Sequence, residues 1–451
     1  MREIAVNSWA VEMSFARPAG WNLVAPFLVL RSVLGRSSSG HVSRVPWGFL
    51  GDYGGLINLV SVQLAIYEFA YDARALVFWR WHVVDIVSCC LSRRMAGGNI
   101  TIAIIGAGLI GPRHAESVLK CSDACLAAFV DPSPQAEAVA KRFGVPLYEH
   151  VDALLASARV PDAAIVCSPN STHVAISKQL LAGGVHVLVE KPVAIDVPSG
   201  EELVRYVRQN GKIALAGHHR RFNPYVVAAK KALSANAIGK PIAISGLWAL
   251  RKPAAYYQAP TQWRASSQGG GPILINLVHE IDILHYLLGP IVRVFAEQTL
   301  SQRGHEAEEG AAIVLKFASG VVGTFVLSDA TASGHSFEAG TGENPIIPRT
   351  GKDFYRIFGS EGTLSVGDMK VERYRDGGEG GWQEEVAEVD VPVGSEVPFD
   401  EQVKHLVRVV RGQEEPRCSV EDGLRAVRVT EAVTRAMRTG QPVDIERASR
   451  L

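Results

Sequence analysis

The sequence predicts an α/β protein in which a doubly wound, parallel-sheet domain is followed by an α+β domain with an open, mostly antiparallel sheet. Three observations predict it. From Asn99 to about Gly217, short apolar runs alternate with amphipathic stretches of helical period. After "GHHRRFNP" apolar runs continue, but without helical crossovers between them. The first run, "TIAII", leads directly into the glycine loop "GAGLIG".

In the first half the apolar runs are 101–105, 126–130, 163–167, 185–189 and 213–216, with helix-like segments around 112–120, 135–143, 173–182 and 198–208. Strands this apolar suit a sheet covered on both faces, as helices cover a parallel sheet. In the second half, 241–250, 292–300, 311–317, 321–328, 355–359 and 383–391 read as strands, interrupted by one long helix at about 273–288. Segment 331–353, rich in Gly, Ser, Thr and Pro, reads as a loop. Two helices close the chain. The first puts Phe399, Val403, Leu406, Val407 and Val410 on one face, and the second runs from Ser419, a natural N-cap, to about Arg438. The expected division is 95–218 for the parallel-sheet domain, 219–396 for the second sheet and 397–443 for the closing helices.

Residues 1–94 differ in composition: they hold five of the eight tryptophans and none of the lysines. They are expected to be a leader, disordered or mis-assigned, with no part in the chemistry. Their longest central stretch without charge, Tyr53 to Tyr67, falls short of the roughly 20 residues that cross a bilayer. Lys plus Arg and Asp plus Glu each total 46, so net charge suggests neither nucleic acid nor a membrane as partner. The six cysteines lack metal-ligand spacing and a disulfide framework, which suits free thiols in the cytoplasm. The 13 histidines show no H-x-x-x-H spacing, so no metal site is expected.

The loop carries Gly106, Gly108 and Gly111 at the three positions of G-x-G-x-x-G, with Leu109 and Ile110 between the last two. Following a strand and opening a helix, it suits a dinucleotide. The first glycine allows the tight turn, the second lets the backbone approach a pyrophosphate, and the third packs helix on strand. Asp131 ends the second strand, 20 residues after Gly111, where a carboxylate accepts from an adenosine ribose and repels a 2′-phosphate. No Arg or Lys follows it in "PSP", so NAD is favoured over NADP. Ser168, Pro169 and Asn170 sit just past another strand and could border the nicotinamide end. Lys191, after "VHVLV", could stabilise an alkoxide formed as hydride leaves.

Taken together, "GAGLIGPRHAE", "VDP", "SPNSTH", "EKPVA", "RRFNP" and "GGGPILINLVHEIDILHYLLG" resemble the Gfo/Idh/MocA family of oxidoreductases, over about residues 99 to 443. The resemblance implies a Rossmann domain plus an open sheet domain, and hydride transfer between NAD(P) and a hydroxyl carbon of a sugar, inositol or related polyol. It implies an active-site lysine at Lys191 and an acid/base histidine at His279, extends the cofactor set to His173, Glu190 and Lys191, and implies a homodimer or homotetramer. Two other roles fit the same fold: a non-catalytic NAD-sensing regulator, and a glycosidase that recycles tightly held NAD.

One departure stands out. Inositol dehydrogenase-like members carry a carboxylate four residues before the histidine, and here that position is Ile275. On a regular helix Asn276, His279, Asp282 and His285 recur every three residues and would form one polar ladder. Asp282 is therefore expected to support a His279 imidazolium by charge, and a His279 pKa near the working pH would suit its role. Arg221, Asn276 and Trp263 are the candidates for substrate contact.

Overall fold

The computed structural model describes residues 98–267, 269–375 and 380–445, together with the backbone of two short strands, β1 (Val11–Ser14) and β2 (Val29–Ser32). The chain divides into two units, Met1–Asp85 and Ile86–Leu451. Within the first, β1 and β2 pair antiparallel. The expectation for residues 1–94 otherwise lies outside the described residues.

Six parallel strands follow: β3 (Ile100–Ile105), β4 (Ala124–Val130), β5 (Leu147–Tyr148), β6 (Ala163–Val166), β7 (His186–Val189) and β8 (Ala214–Ala216), in the order β5-β4-β3-β6-β7-β8. Alternation along each strand divides the core. Ala103 and Ile105 face one layer with Leu180, Leu203 and Leu424, while Ile102 and Ile104 face the other with Val118, Val403 and Leu406. Both faces are therefore covered, which is why the runs are apolar throughout. The order reverses between β4 and β6 around β3, so a crevice opens at the carboxyl ends of the strands.

The second sheet has nine strands: β9 (Pro241–Ala249), β10 (Ile291–Gln298), β11 (Gly310–Phe317), β12 (Val322–Ser328), β13 (Tyr355–Gly359), β14 (Thr363–Val366), β15 (Lys370–Tyr374), β16 (Val386–Asp390) and β17 (Val443–Asp444). Their order is β16-β15-β14-β13-β9-β12-β11-β10-β17. Only β9 and β12 pair parallel. One face packs on helix Val278–Leu288; the other exposes Val314, Val322 and Val326.

Helix Val420–Thr439 joins the two cores. Leu424 and Val427 enter the Rossmann-like layer, and Val429, Val433 and Ala436 enter the second core. Ser419 caps it with a full capping box to Asp422.

The fold differs from the sequence expectation in several places, among them the short strands β5 and β17 and the short helix Val151–Leu155, none of which the apolar runs marked. Strands β14 and β15 and helix Pro224–Ser234 were not anticipated, although Asn223 caps that helix by accepting from the Tyr225 N–H. The loop 331–353 contains a short helix, Phe337–Thr341, capped by Ser336. The long helix is not uniform: Ile273–Leu277 is a π-helical turn leading into the α-helix Val278–Leu288. Among the cysteines, Cys121, Cys167 and Cys418 are free but Cys125 is disulfide-bonded, contrary to the expectation of free thiols throughout. Among the described residues, no helix is long and apolar enough to cross a membrane.

Candidate active site

The glycine loop leaves β3 at the reversal point. Gly106 has φ +102, and a Cβ there would stand 2.7 Å from the Cys167 carbonyl oxygen. A Cβ on Gly111 would stand 2.0 Å from the Gly106 oxygen. Both positions therefore require glycine. Gly108 differs, since nothing lies within 4 Å of its would-be Cβ. That open space is a cradle in which a pyrophosphate could meet backbone N–H groups at the start of helix Gly111–Lys120. Leu109 is 87% exposed and Ile110 41% exposed, at the rim of the same loop.

Asp131 directly follows β4 and steadies this loop. Its Oδ2 accepts from the Ala107 N–H at 2.7 Å and its Oδ1 from the Ser133 N–H at 2.8 Å. Burial pushes its carboxyl up, but these hydrogen bonds outweigh it and hold the group below its usual range. Each oxygen keeps accepting capacity for a ribose diol. The residues present thus fit a dinucleotide.

Past β6, Ser168 and Asn170 are half-buried and Pro169 is exposed, with Asn170 opening the short turn Asn170–Thr172. His173 lies behind them. Its Nδ1 is 2.8 Å from the Pro192 carbonyl and its Nε2 2.9 Å from the Ser168 carbonyl. Glu190 is also buried: His114 Nε2 lies 2.8 Å from Oε1, and Oε2 accepts from the Lys191 N–H at 3.1 Å. Against burial, His114, His219 and Lys191 bring its carboxyl down to about 2. His173 and Glu190 are thus spent on internal partners, and they hold the walls of the cleft where cofactor contact was expected.

Lys191 is half-buried beside that fixed negative charge. Burial lowers its pKa, which Glu190 partly offsets, and Arg220 lowers it further. His279 is 6% exposed, its ring 6.1 Å from His218 and 5.7 Å from His219. Burial, then Lys191 and Arg220, pushes its pKa well below 6.5. The ring is therefore neutral near pH 7, where a pKa near the working pH was expected.

The polar ladder does not share one environment. The π-turn rotates Asn276 out of α-helical register, and its Oδ1 accepts from Lys252 Nζ at 2.7 Å. Asp282 faces elsewhere: Arg221 grips it through Nε at 3.0 Å and 3.1 Å and through Nη2 at 2.8 Å, while Arg221 Nη1 donates to the Arg417 carbonyl at 2.6 Å. Both side chains are nearly inaccessible. Arg221 therefore ties Asp282 to the segment at Arg417, and Asp282 makes its hydrogen bonds to Arg221 and none directly to His279. Trp263 is 46% exposed at the rim, 5.7 Å from the Arg264 guanidinium.

Sequence reasoning missed a carboxylate cluster. Arg220 pairs with Glu280 at 2.7 Å, Glu338 at 2.5 Å and Glu343 at 3.0 Å. Three carboxylates on one guanidinium are relieved because burial, with Glu338 and Glu343 nearby, pushes Glu280 up to about 7, and the Tyr355 hydroxyl hydrogen-bonds it. The only available signal was "RRFNP"; Glu338 and Glu343 lie in the segment read as a loop. Lys252, which burial brings down to about 8 although Asp329 opposes it, was also missed.

Residues 100–218 match the family model described as "Oxidoreductase family, NAD-binding Rossmann fold", and residues 230–445 match "Oxidoreductase family, C-terminal alpha/beta domain". The scyllo-inositol 2-dehydrogenase (NAD(+)) of Bacillus subtilis is 26% identical over 365 residues, covering 78% of this chain and 98% of that protein. The myo-inositol 2-dehydrogenase of Thermotoga maritima is 25% identical over 373 residues, covering 76% and 98%. Among solved structures, an oxidoreductase from Agrobacterium radiobacter in complex with NAD+, L-tartaric acid and magnesium superposes with TM-score 0.65 at 20% identity, covering 77% and 98%. That last likeness shows the fold.

Proposed function

The chain belongs to the Gfo/Idh/MocA family of NAD(P)-dependent oxidoreductases, and from that premise we propose that it is an NAD-dependent dehydrogenase acting on a hydroxyl carbon of a polyol, sugar or cyclic hydroxy acid. The observation that carries the reading is a buried His279 whose cation Lys191 and Arg220 disfavour, with Lys191 directly following the buried Glu190 carboxylate. The relatives named for inositols support the substrate class.

In this proposal Gly106–Gly111 hold the pyrophosphate and Asp131 the adenosine ribose, which favours NAD over NADP. The nicotinamide supplies the hydride acceptor when bound. Lys191 holds the substrate oxygen and stabilises the charge that grows on it as the carbon–hydrogen bond breaks. His279 takes the hydroxyl proton. Because burial, Lys191 and Arg220 disfavour its cation, the ring stays ready as a base through neutral pH, and oxidation should lose rate only below pH 6.5. The exposed apolar residues Val314, Val322 and Val326 on the open sheet face support assembly of the chain as a homodimer or homotetramer.

A 340 nm screen of NAD+ reduction against inositols, sugars, quinate-like acids and dihydrodiols tests the reading. At least one class should reduce NAD+. Failure of every class, with NAD+ demonstrably bound, would support a non-catalytic sensor instead.

A further inference from the structure

We infer that His218 is a positioning residue for the proton step, linking His279 to the buried carboxylate of Asp282 across the gap left by Ile275. The inference rests on the proposed role of His279 as the residue that exchanges the substrate proton.

His218 follows β8 and is 1% exposed. Its ring stands edge-on to His279 at 89° and 6.1 Å, and its Nδ1 lies 3.7 Å from Asp282 Oδ2. Both ring nitrogens of His218 and Nδ1 of His279 are buried without a hydrogen-bond partner. Buried polar atoms are nearly always paired, so three orphans on two adjacent rings call for an explanation. Catalytic hydrogen bonds are often long in a free enzyme and tighten, or take in one water, when substrate binds.

The charges around the pair favour one direction. His279 faces the fixed positive charges of Lys191 and Arg220, whereas burial keeps His218 neutral. His218 faces Asp282 as its strongest charged neighbour, with Glu190 also favourable and Arg221 and Lys191 opposing. Arg221 loads Asp282 Oδ1 with two hydrogen bonds and Oδ2 with one, so Oδ2 retains accepting capacity. His219 is the neighbouring alternative, but it stacks on Phe399 and its Nε2 is engaged by Glu343 at 3.3 Å.

With Nδ1–H donated to Asp282, His218 offers the Nε2 lone pair to His279. As His279 Nε2 takes the substrate hydroxyl proton, its Nδ1–H is donated to His218 Nε2. If the proton moves on, the N–H bond at His279 Nδ1 breaks and one forms at His218 Nε2. The cation then rests beside Asp282 instead of between Lys191 and Arg220. Asp282 thereby supports His279 at one remove, in the role that the family carboxylate would fill directly.

The test is nitrogen-15 NMR of the full chain, labelled at histidine and saturated with NAD+. The expected result is His218 as the neutral tautomer with the proton on Nδ1, and a His279 that titrates at lower pH in His218→Leu, with partial recovery in His218→Gln. A proton on His218 Nε2, or a His279 titration unchanged in His218→Leu, overturns the inference. If His218→Leu does not fold, the tautomer in the unaltered chain still decides. None of these readouts depends on turnover, so failure of the dehydrogenase reading would appear separately, in the 340 nm screen.

Discussion

At the glycine loop the chain is held through backbone N–H donors: the Gly106 N–H donates to the Val130 carbonyl at 2.8 Å, and the Ala107 N–H donates to the Asp131 carboxylate at 2.7 Å. Around Lys191 and His279 paired, titratable side chains do the holding instead. There Arg220 meets three carboxylates, Arg221 meets Asp282, and His114 meets Glu190. The first region presents N–H groups to an anion at little desolvation cost. The second buries charge, which is tolerable only while every ion keeps its partner. A cofactor site can thus be local and simple, whereas a proton-transfer site needs a shell of fixed charges to set protonation states.

That contrast can be broken by removing one ion from a pair. Asp282→Ala leaves the Arg221 guanidinium buried and unpaired, and should destabilise the chain by about 3–5 kcal/mol in urea denaturation. The double variant Asp282→Leu with Arg221→Met should recover much of that loss. A cost under about 1 kcal/mol for Asp282→Ala, the range of exposed pairs, would mean that the pair does not hold this region.

Glu190 sharpens the comparison through pH. Although burial opposes it, His114, His219 and Lys191 bring the carboxyl from 4.5 to about 2. The unfolded chain takes up this proton near 4.5 and the folded chain not until about 2. The resulting stability, of order 3 kcal/mol, is fully present above 4.5 and is lost as pH falls towards 2. Glu190→Gln should therefore be less stable than the parent at pH 7, with the gap reduced to less than half at pH 3. Parallel denaturation curves at the two pH values check this, and an equal gap at both would refute it.

At the backbone-held region the expected effect is smallest. Asp131→Asn keeps an acceptor for the loop but removes the charge that repels a 2′-phosphate. It should narrow the preference for NAD over NADP by about tenfold, the weight of one charge-assisted hydrogen bond. Fluorescence titration with both cofactors measures it.

The same difference explains what the sequence could reveal. Gly106, Gly108, Gly111 and Asp131 lie within 26 residues, in a strand–loop–helix–strand whose apolar periods are strong, so their arrangement was legible. So were the strands buried on both faces and the N-cap at Ser419. The Arg220 cluster joins segments more than 100 residues apart, and no local pattern marks Glu338 or Glu343. The ladder on the long helix misled for a physical reason. One π-turn at Ile273–Leu277 shifts Asn276 out of register, and Arg221 draws Asp282 away from His279.

The most direct test of the account measures NAD+ affinity and turnover together in Lys191→Ala, with a compound that the 340 nm screen has shown to reduce NAD+. Affinity should be nearly unchanged and turnover lower by about 10² or more, the range expected for loss of an acid–base or oxyanion-stabilising group. Turnover equal to that of the unaltered chain would contradict this role, because the Lys191 ammonium would then have no part in the reaction.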